Sequence, residues 1–497
     1  MVQAASSSAG LGVPLSIIIC VMVAIALFAR SRHQTLLSVP TIQAPGGDFR
    51  KALNEGYEKA KLNPQWIFQI PTVSSPMTIL APALLDEIRA VSEKKLNFRR
   101  EMYDRFVGRY TAFASNDSAM VVAIKNKLTP GIDRLLPTMD DEAQFAVRTT
   151  LASCGADGWT TVPLHSTATR LIALLSGRVF VGLPLSRNEE WIDAAVNVTQ
   201  HSIAGAFKLL AYPAWLRPLV RLFVREVGGV EECRQATERM LRPLVEQRLR
   251  DMRSGGADFQ GQDDMIQWLI THAPPGSVSD VAWHVSQHLV LNIAAIHTTS
   301  GQLSGTLFAL AARPHYMQPL REEIEACILK HGALTKQCLH DMVKLDSFLR
   351  EVQRLSPPGL VSVNRKVLEP ITLSNGQRLP VGTSIAFPAD AINRDPELWE
   401  RPADFDGFRF ARLRTEPGSE NSFQFVSSNA SGISFGHGKA ACPGRWFAAT
   451  ELKVMLARLL PDFDFALAEG GDGPLHAFVD VLGAPDPTRQ IRVRRRA

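Results

Sequence analysis

Charge is scarce in this chain and nearly balanced. Only 21% of its 497 residues are Asp, Glu, Lys or Arg, and the net charge is +5, too mild a surplus to argue for a nucleic-acid partner. Cysteine is sparse and unpatterned. Cys20, Cys154, Cys233, Cys327, Cys338 and Cys442 form no CxxC pair and keep no regular spacing. They read as reduced thiols in a reducing compartment, not as a disulfide framework. The same lack argues against zinc and iron–sulfur clusters, which take several ligands. There is no internal repeat and no long low-complexity tract, and strand signal is thin. What remains is apolar: 45% of the residues are hydrophobic, enough to bury a large core in one big domain or two moderate ones.

One apolar run stands apart. Residues 11–29 carry no charge, and Arg30, Arg32 and His33 follow at once, while residues 1–10 contain no Lys or Arg. The run reaches the length of about 20 residues that a bilayer core requires. Basic residues after the run, not before it, favour a retained anchor over a cleaved signal peptide and put the bulk of the chain in the cytosol. The expected organisation is an anchor over 1–32, a connecting linker over 33–65 with Pro40, Pro45 and two glycines, and one catalytic domain over 66–497.

Within that domain most segments read as helix. Residues 167–181, 231–252, 312–331 and 334–355 mix Leu, Ala, Glu and Arg at helical spacing. The longest candidate starts at the N-cap pair Ser279-Asp280 and runs to Ala312, ahead of Pro314. A hairpin is expected around Asn375-Gly376, flanked by 371–373 and 377–379, with another short strand over 383–387. The fold class is mainly α with a small β-sheet lobe.

The most informative segment is Phe435-Gly436-His437-Gly438-Lys439-Ala440-Ala441-Cys442-Pro443-Gly444-Arg445. Gly436 and Gly438 allow a tight bend and close approach to a planar ligand, and Gly444 keeps the far side of the cysteine clear. Cys442 falls just ahead of a helical run over 447–460, where helix N–H groups stabilise a thiolate. A lone thiolate in such a loop suits the axial position of a haem iron. The pattern Phe-Gly-x-Gly-x-x-x-Cys-x-Gly resembles the haem-binding loop of the cytochrome P450 family. The resemblance implies the P450 fold, with haem b between two long helices and Cys442 as the metal ligand.

Other segments agree with that resemblance. Glu351 and Arg354 lie three apart on one helix face, and the family joins such a pair to an arginine from a stretch similar to 401–410, which implies Arg409 as the third member of a structural triad. Ala294, Ala295, His297 and Thr298 resemble the family's oxygen-activation motif and imply Thr298 as the proton-delivering residue. His297 stands where an acid is usual, and imidazole can shuttle protons as well, so His297 is expected to assist Thr298. Arg365 matches a propionate-binding arginine of the family. It would compensate for Ala440, where Arg or His is common, and for the lack of any Trp-x-x-x-Arg. Segments 116–127, 294–298, 358–363 and 478–482 are expected to line the substrate cavity, with Ala294, Ala295, Val361 and Val363 as named contacts.

The string Ala294-Ala295-Ile296-His297-Thr298-Thr299, with 56–59 and 108–111, resembles a fungal membrane-bound branch that includes ent-kaurene oxidases and other terpenoid-tailoring enzymes. The resemblance therefore implies a haem-thiolate monooxygenase of the endoplasmic reticulum membrane. It would oxidise a C–H bond of a small apolar substrate, probed first as a polycyclic terpenoid. Electrons would come from NADPH through a separate cytochrome P450 reductase, since no dinucleotide or flavin segment is present. Three readings stay open beside it: a rearranging or coupling enzyme that inserts no oxygen, tailoring of a polyketide or alkaloid, and a non-catalytic haem-binding sensor.

Overall fold

The computed structural model describes residues 39–113, 117–255, 261–470 and 475–496. The expected anchor over 11–29 lies outside the described residues, and among the described residues no helix is long and apolar enough to cross a membrane.

The helices that position the site are α1 (Phe49–Leu62), α2 (Leu85–Ala90), α3 (Phe98–Arg105), α4 (Thr129–Thr150), α5 (Leu164–Phe180), α6 (Glu189–Leu210), α7 (Arg225–Gly255), α8 (Val281–Ala312), α9 (Met317–His331), α10 (Val343–Leu355) and α11 (Arg445–Leu459). The start of α8 follows from local chemistry. The Asp280 carboxylate accepts hydrogen bonds from the backbone N–H groups of Ala282 and Trp283, satisfying two donors that a helix start leaves free. Its end follows from Pro314, which disfavours helical geometry at Arg313. With 32 residues, α8 is about 48 Å long and packs against α5, α6, α7, α10 and α11. Leu289, Leu303 and Leu310 on it are fully buried, so its length is stabilised by burial on several faces.

The linker boundary moves. Residues 49–62 form α1, capped by the Asp48 side chain on the Lys51 N–H. Phe49, Ala52, Leu53, Tyr57 and Ala60 on one face are buried, and Tyr57 Oη donates to the Asp395 carboxylate at 2.7 Å. An apolar stripe with a helical period is core-forming, so the folded domain reaches well ahead of residue 66. The helix expected over 334–355 is also divided: Met342, at φ −74° and ψ 70°, separates α10 from a short helix over Lys336–Asp341.

The β lobe combines β1 (Phe68–Ile70), β2 (Met77–Ile79), β3 (Leu96–Asn97), β4 (Thr160–Pro163), β5 (Ser362–Val367), β6 (Ile371–Thr372), β7 (Arg378–Leu379), β8 (Ser384–Phe387), β9 (Phe463–Leu467), β10 (His476–Val479), β11 (Leu482–Pro485) and β12 (Gln490–Arg495). The main sheet has the order β1-β2-β8-β5-β3, antiparallel except for the β2–β8 pair. A second sheet is β4-β12-β9, and β6–β7 and β10–β11 are hairpins. The β6–β7 turn carries Gly376 at φ 80°, the left-handed geometry that an Asn-Gly turn provides.

Candidate active site: a thiol loop facing a small-residue helix

The loop before α11 is held by its own backbone. Cys442 N–H donates to the Phe435 carbonyl at 2.7 Å, closing the turn. Gly436 and Gly438 have φ of 73° and 71°, a region that L side chains avoid. Gly438 has a further reason: a Cβ there would stand 2.5 Å from the Arg89 Cβ and 2.9 Å from the Arg89 carbonyl. This glycine lets the loop seat against the end of α2, a role other than approach to a ligand. Gly444 has an ordinary φ of −86°, and a Cβ there would meet nothing of the chain within 4 Å. Phe435 is half-buried and edge-on to Phe425, with ring centroids 5.3 Å apart.

Cys442 precedes α11 by three residues, with Gly444 as the N-cap. The expected N-terminal donors are present: the backbone N–H groups of Gly444 and Arg445 favour the thiolate. Burial outweighs them and raises the thiol above its ordinary value. Within the chain alone Cys442 is therefore a thiol. Coordination to a metal ion deprotonates such a group outright.

Three residues that sequence reasoning left aside also hold this loop. Ser428 Oγ donates to the Gly436 carbonyl and lies 2.9 Å from Nδ1 of buried His437. Ser362 Oγ donates to the Ile433 carbonyl at 2.6 Å and ties the loop to β5. Arg445 Nη1 donates to the Cys442 carbonyl at 2.7 Å. Ser362 stands 71 positions from its partner, a separation that carries no spacing signal.

Behind the loop, Glu351, Arg354 and Arg409 meet. Arg354 Nε and Nη2 each donate to one Glu351 carboxylate oxygen at 2.8 Å, a bidentate pair. Arg409 Nε donates to Glu351 Oε1 at 3.3 Å. Glu351 is fully buried and both arginines nearly so. Their remaining donors reach the carbonyls of Asn393, Pro402, Glu400 and Arg401. The network thus stitches α10 to the 393–409 segment, and none of its charged groups is left without a partner, as burial demands.

On α8, Ala294 and Thr298 are one turn apart and exposed, Ala295 is half-exposed, and Ile293, Ile296, Thr299 and Ser300 around them are buried. Midway along a helix that crosses the domain, such a face borders interior space. Thr298 Oγ1 donates to the Ala294 carbonyl at 2.7 Å, the back-bonding usual for a helical threonine. His297 does not share that face. Its Nε2 lies 2.9 Å from the Val196 carbonyl on α6, and its ring sits 6.3 Å from that of His165. Consecutive helix residues are turned about 100° apart, and burial lowers its pKa. The expectation of His297 as a proton partner of Thr298 is corrected accordingly: it is a neutral imidazole committed to α6.

Two proposed lining residues are also corrected. Val363, 3% exposed with φ 55°, packs in the β-lobe core with Val367 and Leu379. Val361 is buried against Leu360 and Val481. Both are covered by their own chain, whereas a cavity wall would leave them open, as Ala294 is.

Arg365 provides the test of fit for a haem. It is 5% exposed and donates to the neighbouring Asn364 carbonyl at 2.7 Å. Among the described residues no carboxylate lies within ion-pair distance of it, and Glu93 acts on it only by a weaker charge attraction. Burial pushes its pKa down to about 10. A buried guanidinium without a counter-ion is costly, and a propionate would supply one. The thiol loop, the small-residue face and this arginine together fit an iron porphyrin.

The comparisons with known proteins agree. The family model described as Cytochrome P450 matches residues 93–491. The chain is 39% identical to cytochrome P450 monooxygenase BOA4 of Botryotinia fuckeliana, covering 90% of each protein. It is 35% identical to cytochrome P450 monooxygenase braC of Annulohypoxylon truncatum, covering 93% of each, and 34% identical to cytochrome P450 monooxygenase prx8 of Penicillium rubens, covering 90% of this chain and 82% of that one. Among solved structures, retinoic acid-bound cyanobacterial CYP120A1 superposes with a TM-score of 0.66 at 19% identity, over 93% of this chain and 100% of that one, a likeness of fold. The thiol loop, the buried triad and these relatives together establish that the chain belongs to the cytochrome P450 family, as a haem-dependent monooxygenase.

Proposed function

We propose that this monooxygenase hydroxylates, or further oxidises, a C–H bond of an apolar polycyclic terpenoid at the endoplasmic reticulum membrane, with electrons from an NADPH-dependent reductase. The observation that carries the reading is the exposed Ala294–Thr298 face bordered by buried apolar side chains. It offers a bulky hydrocarbon room and one hydroxyl. The terpenoid assignment rests on the likeness of 294–299 to the terpenoid-tailoring branch.

When bound, haem supplies the activation of dioxygen and the C–H chemistry. The chain's own part is placement and proton control. Cys442 Sγ would hold the iron, Arg365 would balance a propionate, and the Glu351–Arg354–Arg409 network would keep the surrounding backbone in place. Thr298 Oγ1 accepts a proton from water while releasing its own toward the oxygen-binding side, for which its bond to the Ala294 carbonyl must open.

Membrane attachment is supported twice. Residues 11–29 suit a single-pass anchor. In the folded domain Tyr212, Trp215, Leu219, Leu222 and Phe223 are exposed beside Arg217 and Arg221, a patch that suits an interface of lipid and water. The test is expression with a reductase, feeding of candidate terpenoids and mass analysis under labelled dioxygen. Products carrying one labelled oxygen are expected. Unlabelled rearranged products, or turnover of polyketides only, would overturn the reading.

A further inference from the structure

Away from the thiol loop, two charged side chains are buried with unmet hydrogen-bonding capacity at a void. Arg105 at the end of α3 and Asp480 at the tip of the β10–β11 hairpin lie 3.8 Å apart, their side chains 5% and 4% exposed. Among the described residues, Arg105 Nε and Nη1 and Asp480 Oδ1 have no hydrogen-bond partner. Both residues line a void of about 10 Å³ whose other walls include Phe106, Phe207, Leu210 and Leu482. That volume admits one water or one hydroxyl oxygen. Asp480 is held at φ 56°, outside the range that non-glycine residues favour. The backbone N–H groups of Val73 and Val481 bond its carboxylate, so the turn aims this side chain inward against its own preference.

The surrounding charges are balanced. Glu101 takes Arg105 Nη2 at 2.8 Å and stands 3.5 Å from Lys366, while Ser384 Oγ joins Glu101 and Lys366 at 2.7 and 2.8 Å. Two buried cations face two buried anions, with Asp104 at the margin, 3.8 Å from Lys366. A further full charge would upset this balance. A neutral group that accepts from Arg105 and donates to Asp480 meets both needs, and a hydroxyl does so.

Position limits how far the void can lie from Thr298. Strand β11 crosses α8 where a Cβ on Gly301 would stand 3.7 Å from Pro485 Cδ, and Gly301 is one turn beyond Thr298. Asp480 is five residues from Pro485, at most about 17 Å along an extended chain. The exposed apolar patch after α6 begins beside Leu210, on the void's wall.

We infer that Arg105 and Asp480 form a hydroxyl-binding subsite at the remote end of the substrate cavity, so that the substrate is a rigid hydrocarbon skeleton already bearing one alcohol. This deepens the proposed function and rests on its placement of the cavity. It also implies an earlier oxygen-inserting or hydrating reaction that supplies the alcohol.

The test uses the haem-loaded enzyme and a matched pair of probes, the tetracyclic alcohol androstanol and its parent hydrocarbon androstane. Dissociation constants are read from the change in haem absorption. Androstanol should bind roughly tenfold more tightly than androstane, the scale of a hydroxyl matched by charged partners. Asp480→Gly suits the positive φ and removes the acceptor, and should bring the ratio to within about twofold of unity. Ala206→Val, which adds two methyl groups at the void wall, should lower the ratio in the same way and stands in if the glycine variant fails to fold. Equal affinities in the parent enzyme, no saturable binding of androstanol, or a ratio that survives both variants would overturn the subsite and leave a void for water alone. Because the readout is binding, an enzyme that oxidises no terpenoid yet keeps the ratio removes the substrate assignment and leaves the subsite standing.

Discussion

The two sides of this active site are built on opposite principles. On the thiol side, hydrogen bonds over-determine the backbone: Cys442 to Phe435, Ser428 to Gly436, Ser362 to Ile433 and Arg445 to Cys442, with the buried Glu351 network behind them. On the α8 side, among the described residues, the polar bonds of Thr298 run to carbonyls of its own helix, and the remaining design is the smallness of Ala294 and Ala295. A metal ligand must stay at one height, and rigidity serves it. Under the proposed function the substrate side would need volume and one movable proton, which a packed network would obstruct.

Breaking the rigid side should have the largest effect. Cys442→Ser is expected to abolish the thiolate-type carbon monoxide spectrum completely, and an unchanged spectrum would mean that another residue holds the iron. Next, Glu351→Gln removes the centre of the buried network. A loss of about 3–5 kcal/mol is expected, read as a lower urea midpoint and poor haem retention; a shift under 1 kcal/mol would show that the loop holds itself.

On the open side, Thr298→Ala should leave stability within about 1 kcal/mol but raise peroxide released per NADPH consumed several-fold. Unaltered coupling would place proton delivery elsewhere. The smallest effect is expected from His297→Ala, with coupling within about twofold of the parent enzyme, since the ring faces α6. A collapse in coupling would return imidazole to the proton path.

Acid–base behaviour separates the two sides further. Burial holds His165, His288 and His476 at pKa values of about 4. Between there and the ordinary value near 6.5 the unfolded chain binds protons that the folded chain refuses, so stability falls on acidification through that window. Glu451 on α11 is the opposite case: burial raises it to about 8, against a hydrogen bond from Ser176. The folded chain keeps a proton that the unfolded chain loses above about 4.5, so this contribution falls as pH rises toward 8. Urea titrations should therefore show greatest stability near about pH 6.5, and Glu451→Gln should flatten the alkaline limb. An unchanged limb would assign it to other groups.

Much of the molecule was legible beforehand because its causes are local. The limits of α8 follow from Asp280 and Pro314, the β6–β7 hairpin from Asn375-Gly376, and the loop from glycines beside a cysteine. Residues 49–62 were less legible because the prolines and glycines upstream suit a linker, whereas the apolar stripe of α1 makes this segment part of the core. The orientation of His297 was not legible. A helix position gives the angle around the axis, but which face meets a neighbour depends on where α6 packs. Val363 was hidden for the same reason, since its turn into the β-lobe core depends on the pairing of β5 with β8 and β3.

By itself the sequence determined the thiol-bearing loop, its glycine bends and the limits of the long helix, because each depends on neighbours a few residues away. Only the tertiary structure decided that Arg365 has no carboxylate within ion-pair distance among the described residues, that His297 turns to α6, and that Arg105 and Asp480 share a void. Those outcomes depend on groups far apart in the chain, and burial, which sets the energy of an unpaired charge, exists only once the chain has folded.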